Sequence, residues 1–466
     1  MKIRFCGAAK QVTGSSHLIT LDNGYTILLD CGMFQSKNAD QENLKWYFKP
    51  GEIDVMVLSH AHIDHCGRVP KLSKDGFQGN IYCTPATRDL AAIMMMDSAK
   101  IQESDAEYQS KKLNKHNNTT HQVVQPLYTM KDAGRVMKQF VSFGYDRWFP
   151  INDQVDVLFR DAGHILGSAS VTLRIKENNK ITMLGFTGDI GRPARPILND
   201  PIPMMAVDYL ITESTYGDSL HQSTPEDENK FIEIIKQTCV DRRGKLIIPA
   251  FSVGRTQEIV YMLDKASNKN LLPKIPVYVD SPLAVNATDV FTSHPECFDS
   301  ELHEYMMVDK NPFGFNGLTY IRSVDESKAL NGNPDPMIII ASSGMANAGR
   351  IQHHLANNIE DPKNTVLIVG YCSPDTPGGM LRNGIDHIKF FGEVKQVRAN
   401  IQIMDSFSAH GDQNEMSQFL KNQAGSAQKT FLVHGDEDVL PVWQNHLVGL
   451  GFKNVSIPSP GEEVVL

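Results

Sequence analysis

The stretch His60-Ala61-His62-Ile63-Asp64-His65 gathers three imidazoles and one carboxylate into six residues. It follows the largely apolar run of residues 53–58, which reads as a buried strand, so the cluster lies where a strand opens into a loop. Histidine nitrogens and aspartate oxygens are the donors zinc takes, at roughly 2.0–2.2 Å. In extended backbone alternate side chains share a face, so His60 and His62 can reach one ion. Asp64 and His65 fall on the following turn, placed to reach a second ion beside it. A histidine-rich solvated loop has the same composition, but it would not abut a buried strand end.

With 466 residues and 41% hydrophobic content, the chain has ample core for two domains, or for one core with a large insertion. No run approaches the ~20 apolar residues of a membrane span. Met1-Lys2-Ile3-Arg4-Phe5-Cys6-Gly7 enters a strand without the apolar core of a signal peptide. The seven cysteines form no CxxC pair, which points to a reducing, cytoplasmic setting with neither a disulfide framework nor a thiolate zinc site. A net charge of −9 excludes a uniformly basic surface, while leaving room for a local basic groove.

Asp22-Asn23-Gly24 between two apolar runs predicts a hairpin, whose second strand ends in Asp30-Cys31-Gly32. Residues 86–110 read as a helix, with Ile93, Met94, Met95 and Met96 in the core. Residues 111–121 read as a surface loop with His116 and His121 solvated, and a helix is expected over 130–140 behind an N-cap at Thr129. His164, between Gly163 and Gly167, and Asp189, between Gly188 and Gly191, each follow a strand-like run. Either alone is an ordinary turn; with the opening cluster they supply ligands for two ions, including a carboxylate able to bridge them. From about residue 216 short continuous apolar runs (246–249, 277–279, 337–341, 366–369) alternate with helical segments, the pattern of a parallel sheet covered on both faces. Arg255, Ser343 and Gly344 sit in loops at the ends of those strands, where ligands of such sheets bind. After about residue 394 the first pattern returns. A strand at 400–404 leads to Ser408 and His410, and another at 430–433 leads to His434.

In this order the motifs resemble the metallo-β-lactamase superfamily, in its β-CASP group of nucleic-acid-processing hydrolases. The resemblance spans essentially the whole chain. It implies a four-layer αββα fold over residues 1–215 and 394–466, with an inserted α/β parallel-sheet domain at 216–393. His60, His62, Asp64 and His65 match the HxHxDH motif, Asp30 the motif that orients the metals, and Glu213, His410 and His434 the later motifs A, B and C. The resemblance implies two zinc ions per chain, one on His60, His62 and His164, the other on Asp64, His65 and His434, with Asp189 between them. His410 is expected as the proton donor, kept protonated by Glu213, and Arg255, Ser343, Gly344 and Ser408 as substrate contacts, with plain packing as the alternative, in a cleft for which the inserted domain would form the second wall. A histidine at motif C resembles the RNA-acting branch. The expected activity is therefore hydrolysis of single-stranded RNA to products with a 5′-phosphate, internally or from the 5′ end. A thioester or lactam hydrolase, a DNA nuclease and a non-catalytic RNA-binding scaffold are the rival readings on this fold. The chain looks like the compact prokaryotic RNA-degrading members, which lack appended RNA-binding domains and often form homodimers. Pro377, within an otherwise glycine-rich phrase, departs from the family pattern and bears on the substrate crevice.

Overall fold

The computed structural model describes residues 1–36, 38–114, 123–221, 227–370, 372–404 and 408–466. The chain divides into two units, one of Met1–Leu220 with His410–Leu466, the other of His221–Ala409.

The first unit is built on two seven-stranded sheets. One runs in the order Glu463–Val465, Lys2–Gly7, Ser16–Thr20, Thr26–Leu29, Val55–Val57, Asn80–Cys83, Phe140–Ser142. The other runs Val455–Ser456, Lys429–Leu432, Tyr209–Thr212, Lys180–Phe186, Ala169–Glu177, Val155–Asp161, Phe149–Pro150. Alternation along the strands gives each sheet an apolar inner face. Ile3, Phe5, Ile27, Leu29 and Val57 from one meet Phe159, Val171, Leu173, Phe186 and Phe431 from the other in a single buried cluster. Each such side chain contributes about 1.5–3 kcal/mol on burial. On the outside of the second sheet, Met416, Phe419, Leu440, Trp443 and Leu447 from the helices Gln413–Leu420 and Val439–Gly449 form another cluster with Leu210 and Leu432. Helices Val69–Lys74, Pro85–Asn114 and Met130–Val136 pack together beside the strand Phe140–Ser142 of the first sheet. The result is the expected helix–sheet–sheet–helix layering.

The hairpin at Asn23-Gly24 forms as read, with Ser16–Thr20 antiparallel to Thr26–Leu29. Two helices end elsewhere than expected. The first runs on to Asn114, so residues 111–114 are helical rather than loop, and within 93–96 only Met95 is fully buried. His116 and His121 lie outside the described residues. The second has the expected cap, where Thr129 and Asp132 each accept the other's backbone N–H. It closes at Val136, followed by a short turn at Met137–Gln139, because Phe140 is claimed by pairing with Ile81 in the sheet.

In the second unit six strands are all parallel, in the order Leu318–Tyr320, Val277–Asp280, Ile338–Ala341, Leu246–Pro249, Thr365–Val369, Asn400–Met404. Strands such as Ile338–Ala341 are buried throughout, as the continuous apolar runs required. The strand Asn400–Met404, read from sequence as the start of the returning segment, is the sixth strand of this sheet and pairs with Thr365–Val369. The divisions therefore fall at 220/221 and 409/410, later than 215/216 and 393/394. Pro377 opens the helix Pro377–Arg382 behind a Thr376 cap, a position where its missing N–H costs nothing. Among the described residues no helix is long and apolar enough to cross a membrane.

Candidate metal centre

The cluster hangs from strand ends of the first unit. Beyond the strand Val55–Val57, His62 caps a single helical turn, Ile63–Cys66, that carries Asp64 and His65. That turn is clamped by the segment after the hairpin. Cys31 N–H donates to the His65 carbonyl (2.8 Å), Met33 N–H to that of Ile63 (2.9 Å), and Ser15 N–H to that of Asp64 (2.8 Å). The approach is so close that a Cβ at Gly32 would lie 1.5 Å from the Asp64 carbonyl oxygen, so only glycine fits. His164 lies in the loop after Val155–Asp161, where the Ser168 hydroxyl accepts from the N–H of His164 and of Ile165, and Asp161 accepts from that of Gly163. Asp189, Glu213 and His434 follow the strands Lys180–Phe186, Tyr209–Thr212 and Lys429–Leu432, which are mutually parallel. Their side chains thus share the carboxyl end of one sheet, the usual ligand edge. His410 is tied in by a bridge to Gly191, whose Gly411 N–H donates to the Ile190 carbonyl at 2.8 Å.

Two donor sets lie side by side, His60, His62, His164 and Asp189 in one, and Asp64, His65 and His434 in the other, and a third group of Asp189, Glu213 and His410 adjoins them. In the first, His62 Nδ1 lies 3.1 Å from both His60 Nε2 and His164 Nε2. In the second, His434 Nε2 lies 3.2 Å from His65 Nε2 and 3.4 Å from Asp64 Oδ2. Asp189 spans them. Its Oδ2 is 3.4 Å from His60 Nε2 and from His164 Nε2, and its Oδ1 is 3.3 Å from His65 Nε2 and 3.7 Å from His434 Nε2. Tetrahedral ligands around zinc stand roughly 3.3 Å apart, so these spacings are those of donors around an ion. Asp189 Oδ1 is buried and has no hydrogen-bond partner, a costly state for a carboxylate oxygen that a cation would relieve. The residues fit a metal in each set.

Around the donors, partners fix the rings. Asp30, fully buried and with a left-handed backbone (φ 57°), lies 2.7 Å from His65 Nδ1. It also accepts from Ser59 N–H (2.8 Å) and the Ser59 hydroxyl (2.9 Å), while that hydroxyl oxygen lies 3.0 Å from His60 Nδ1. Thr215 Oγ1 lies 3.1 Å from His434 Nδ1. The carboxylate of Glu213, fully buried, accepts from Ile190 N–H and lies 3.2 Å from His410 Nδ1. The His410 ring lies beside that of His164, centres 4.5 Å apart and tilted by 50°.

Burial pushes His62 down to about 3, and lowers His60 and His164 too, so these three are neutral and present lone pairs. His65 is driven well up despite its burial by Asp189 and Asp30, a negative potential that would equally favour a bound cation. For His410 burial opposes the charge, but the Glu213 carboxylate outweighs it and raises the ring to about 9.

The structure thus gathers His60, His62, Asp64, His65, His164, Asp189, His434, His410, Glu213 and Asp30 in one unit. The four substrate candidates lie in the other. Arg255 is buried, and its guanidinium meets Glu258 one helical turn away. The Ser343 hydroxyl donates to Asn347 Oδ1 (2.8 Å) and accepts from Ala348 N–H, which makes it a turn former. Gly344 sits where a Cβ would strike the Phe251 ring at 2.7 Å, and the next helix starts at Arg350. Ser408 is buried. Sequence reading passed over Ser59 and Thr215. Their signal was a hydroxyl beside a candidate ligand or beside Glu213, which is visible only once the rings are placed.

Residues 9–237 match the metallo-beta-lactamase superfamily, residues 256–381 the Beta-Casp domain, and residues 394–458 the Zn-dependent metallo-hydrolase RNA specificity domain. A ribonuclease of Thermus thermophilus is 33% identical over 464 residues, covering 100% of both chains. The transcription termination factors FttA of Methanosarcina mazei and Methanocaldococcus jannaschii are 30% and 28% identical, each over 94% of this chain and 67% of the factor.

Proposed function

The chain belongs to the β-CASP group of the metallo-β-lactamase superfamily, and from that premise we propose that it is a zinc-dependent ribonuclease. Its substrate is single-stranded RNA, cut by phosphodiester hydrolysis to leave a 5′-phosphate. The observation that carries this reading is the pair of donor sets spanned by Asp189, with the His410–Glu213 pair alongside. The RNA specificity domain match and the ribonuclease relative support the substrate class.

His60, His62 and His164 would hold one ion and Asp64, His65 and His434 the other, and each Asp189 oxygen faces one set. When bound, such ions supply an activated water near neutral pH and offset the charge of phosphoryl oxygens. The chain provides the rest. Asp30 orients His65 directly and His60 through Ser59, so one buried carboxylate aligns a ligand of each set. Glu213 holds His410 by Nδ1 and favours its charged form, leaving the other ring nitrogen to protonate the departing ribose oxygen. Asp64 and His410 keep 20% and 21% of their side-chain surface open and His62 is also partly exposed, while His60, His65, His164, Asp189 and His434 are buried. The scissile phosphate must therefore be brought to a small opening, which a flexible single strand can do. The seven cysteines are all buried, and a reducing, cytoplasmic setting belongs to the same proposal.

The test compares 5′-labelled and internally labelled single-stranded RNA, with matched duplex RNA and DNA, before chelation, after exhaustive chelation and with zinc restored. Cleavage of the single strand to 5′-phosphate ends, lost on chelation and regained with zinc, is the expected result. Cleavage that survives chelation, or none with zinc, sinks the proposal.

A further inference from the structure

Among the donors, His434 has the least ordinary backbone. Its φ is 51°, left-handed and unfavourable for a side chain of its shape, so its surroundings must hold it there. Three contacts do. His434 N–H donates to the Ala8 carbonyl at 2.7 Å, and its own carbonyl accepts from Ser214 N–H at 3.1 Å and from the Thr215 hydroxyl at 3.2 Å. That same Thr215 oxygen stands 3.1 Å from the ring's Nδ1.

A hydroxyl has one proton to give. If Thr215 gives it to the His434 carbonyl, the oxygen can only accept from the ring, and the ring must then carry its proton on Nδ1. A neutral imidazole protonated there has its lone pair on Nε2, the nitrogen that faces His65 Nε2, Asp64 Oδ2 and Asp189 Oδ1. We propose that Thr215 is a positioning residue that sets His434 as the Nδ1–H tautomer and holds its left-handed backbone. The metal set of Asp64, His65 and His434 therefore depends on this hydroxyl, and that of His60, His62 and His164 does not. The inference rests on the two-ion reading above and deepens it.

Thr215 is unlike the other ring partners. Asp30 serves His65 and, through Ser59, His60, so altering either disturbs both sets. The side-chain contacts of Thr215 are to His434. One strand end, that of Tyr209–Thr212, thus supplies Glu213 for His410 and Thr215 for His434.

The experiment titrates metal-stripped full-length protein with zinc against a chromophoric chelator, for the wild type, T215V and T215S. Valine keeps the shape and removes the hydroxyl; serine restores it. Wild type should take up two ions. In T215V one should bind as before and the other 10–100-fold more weakly, the usual cost of losing a ligand's outer partner, and T215S should recover most of that loss. Two ions held at wild-type affinity in T215V, or both weakened alike, overturns the inference while leaving the two-ion reading in place. A wild type that binds only one ion overturns that reading and the inference with it. Ring 15N shifts of zinc-loaded wild type, with histidine labelled, give a check that needs no variant to fold. A His434 protonated on Nδ1 supports the proposal, and one protonated on Nε2 refutes it.

Discussion

Replacing His17 by leucine should make the first unit more stable and less sensitive to acid. His17 is fully buried between the rings of Phe5 and Phe186, 5.6 and 5.5 Å away, and neither of its ring nitrogens has a hydrogen-bond partner. Burial pushes its pKa from 6.5 down to about 3. Below pH 6.5 the unfolded chain binds a proton there that the folded chain refuses, so acid favours unfolding, and the loss levels off near pH 3. Relative to pH 7.5 this costs the folded state about 0.8 kcal/mol at pH 6 and about 2 kcal/mol at pH 5. The figure at pH 5 is set almost wholly by the unfolded value, because the folded ring is already neutral there. A further ~1–3 kcal/mol, independent of pH, should be gained at pH 7.5 by removing the unpartnered nitrogens. The assay is urea unfolding of His17→Leu and wild type at pH 7.5, 6 and 5, at one fixed zinc level, followed by tryptophan fluorescence. All three tryptophans, Trp46, Trp148 and Trp443, lie in the first unit, so the signal reports that unit alone. If both proteins lose the same stability between pH 7.5 and 5, His17 is not the acid-sensitive group and the reasoning fails.

Two further outcomes can be checked separately. His410→Ala should lower turnover of RNA by about 10²–10⁴-fold with both ions retained, measured by steady-state cleavage alongside metal analysis; loss of an ion instead would make His410 a ligand. In the second unit Asp280 is fully buried and receives Arg350, His354 and Ser327 together, so Asp280→Ala leaves the partly buried Arg350 guanidinium and the buried His354 ring without their shared carboxylate. It should destabilise that unit by about 3–5 kcal/mol, read as faster hydrogen exchange within residues 221–409; exchange unchanged from wild type would refute it.

The candidate ligands stood out because they come at strand ends in tight groups, and a buried strand end is a poor place for four polar side chains without a purpose. His60 to His65 show this within one stretch. His410 and His434 were readable only because the same design recurs. What stayed hidden depends on contacts between distant segments. Thr215 looks like any threonine until His434 is laid beside it, 219 residues on. His17 occupies an apolar slot of an alternating strand, and nothing local announces that its nitrogens go unpaired. Arg255 was read as a phosphate contact, and its pairing with Glu258 one turn along was not foreseen. The strand Asn400–Met404 has a pattern that suits either sheet, and partner choice is not written in a single strand. Phe140 was read as helix because pairing with Ile81 is invisible to a helical window.

The strand Glu463–Val465 pairs with Lys2–Gly7, and Lys2 Nζ reaches Glu463 across 461 positions of chain. This closure has a meaning for synthesis. A nascent chain that has emerged as far as residue 409 already carries His60, His62, Asp64, His65, His164 and Asp189, but has neither His410, His434 nor the strand Lys429–Leu432. The inserted unit, by contrast, has all its described strands by then and can fold while the first waits. Contacts of such long range also make assembly of the first unit slow compared with that of its insert. In an enzyme that cuts RNA, the centre is therefore completed only once the strand Lys429–Leu432 and His434 have been made.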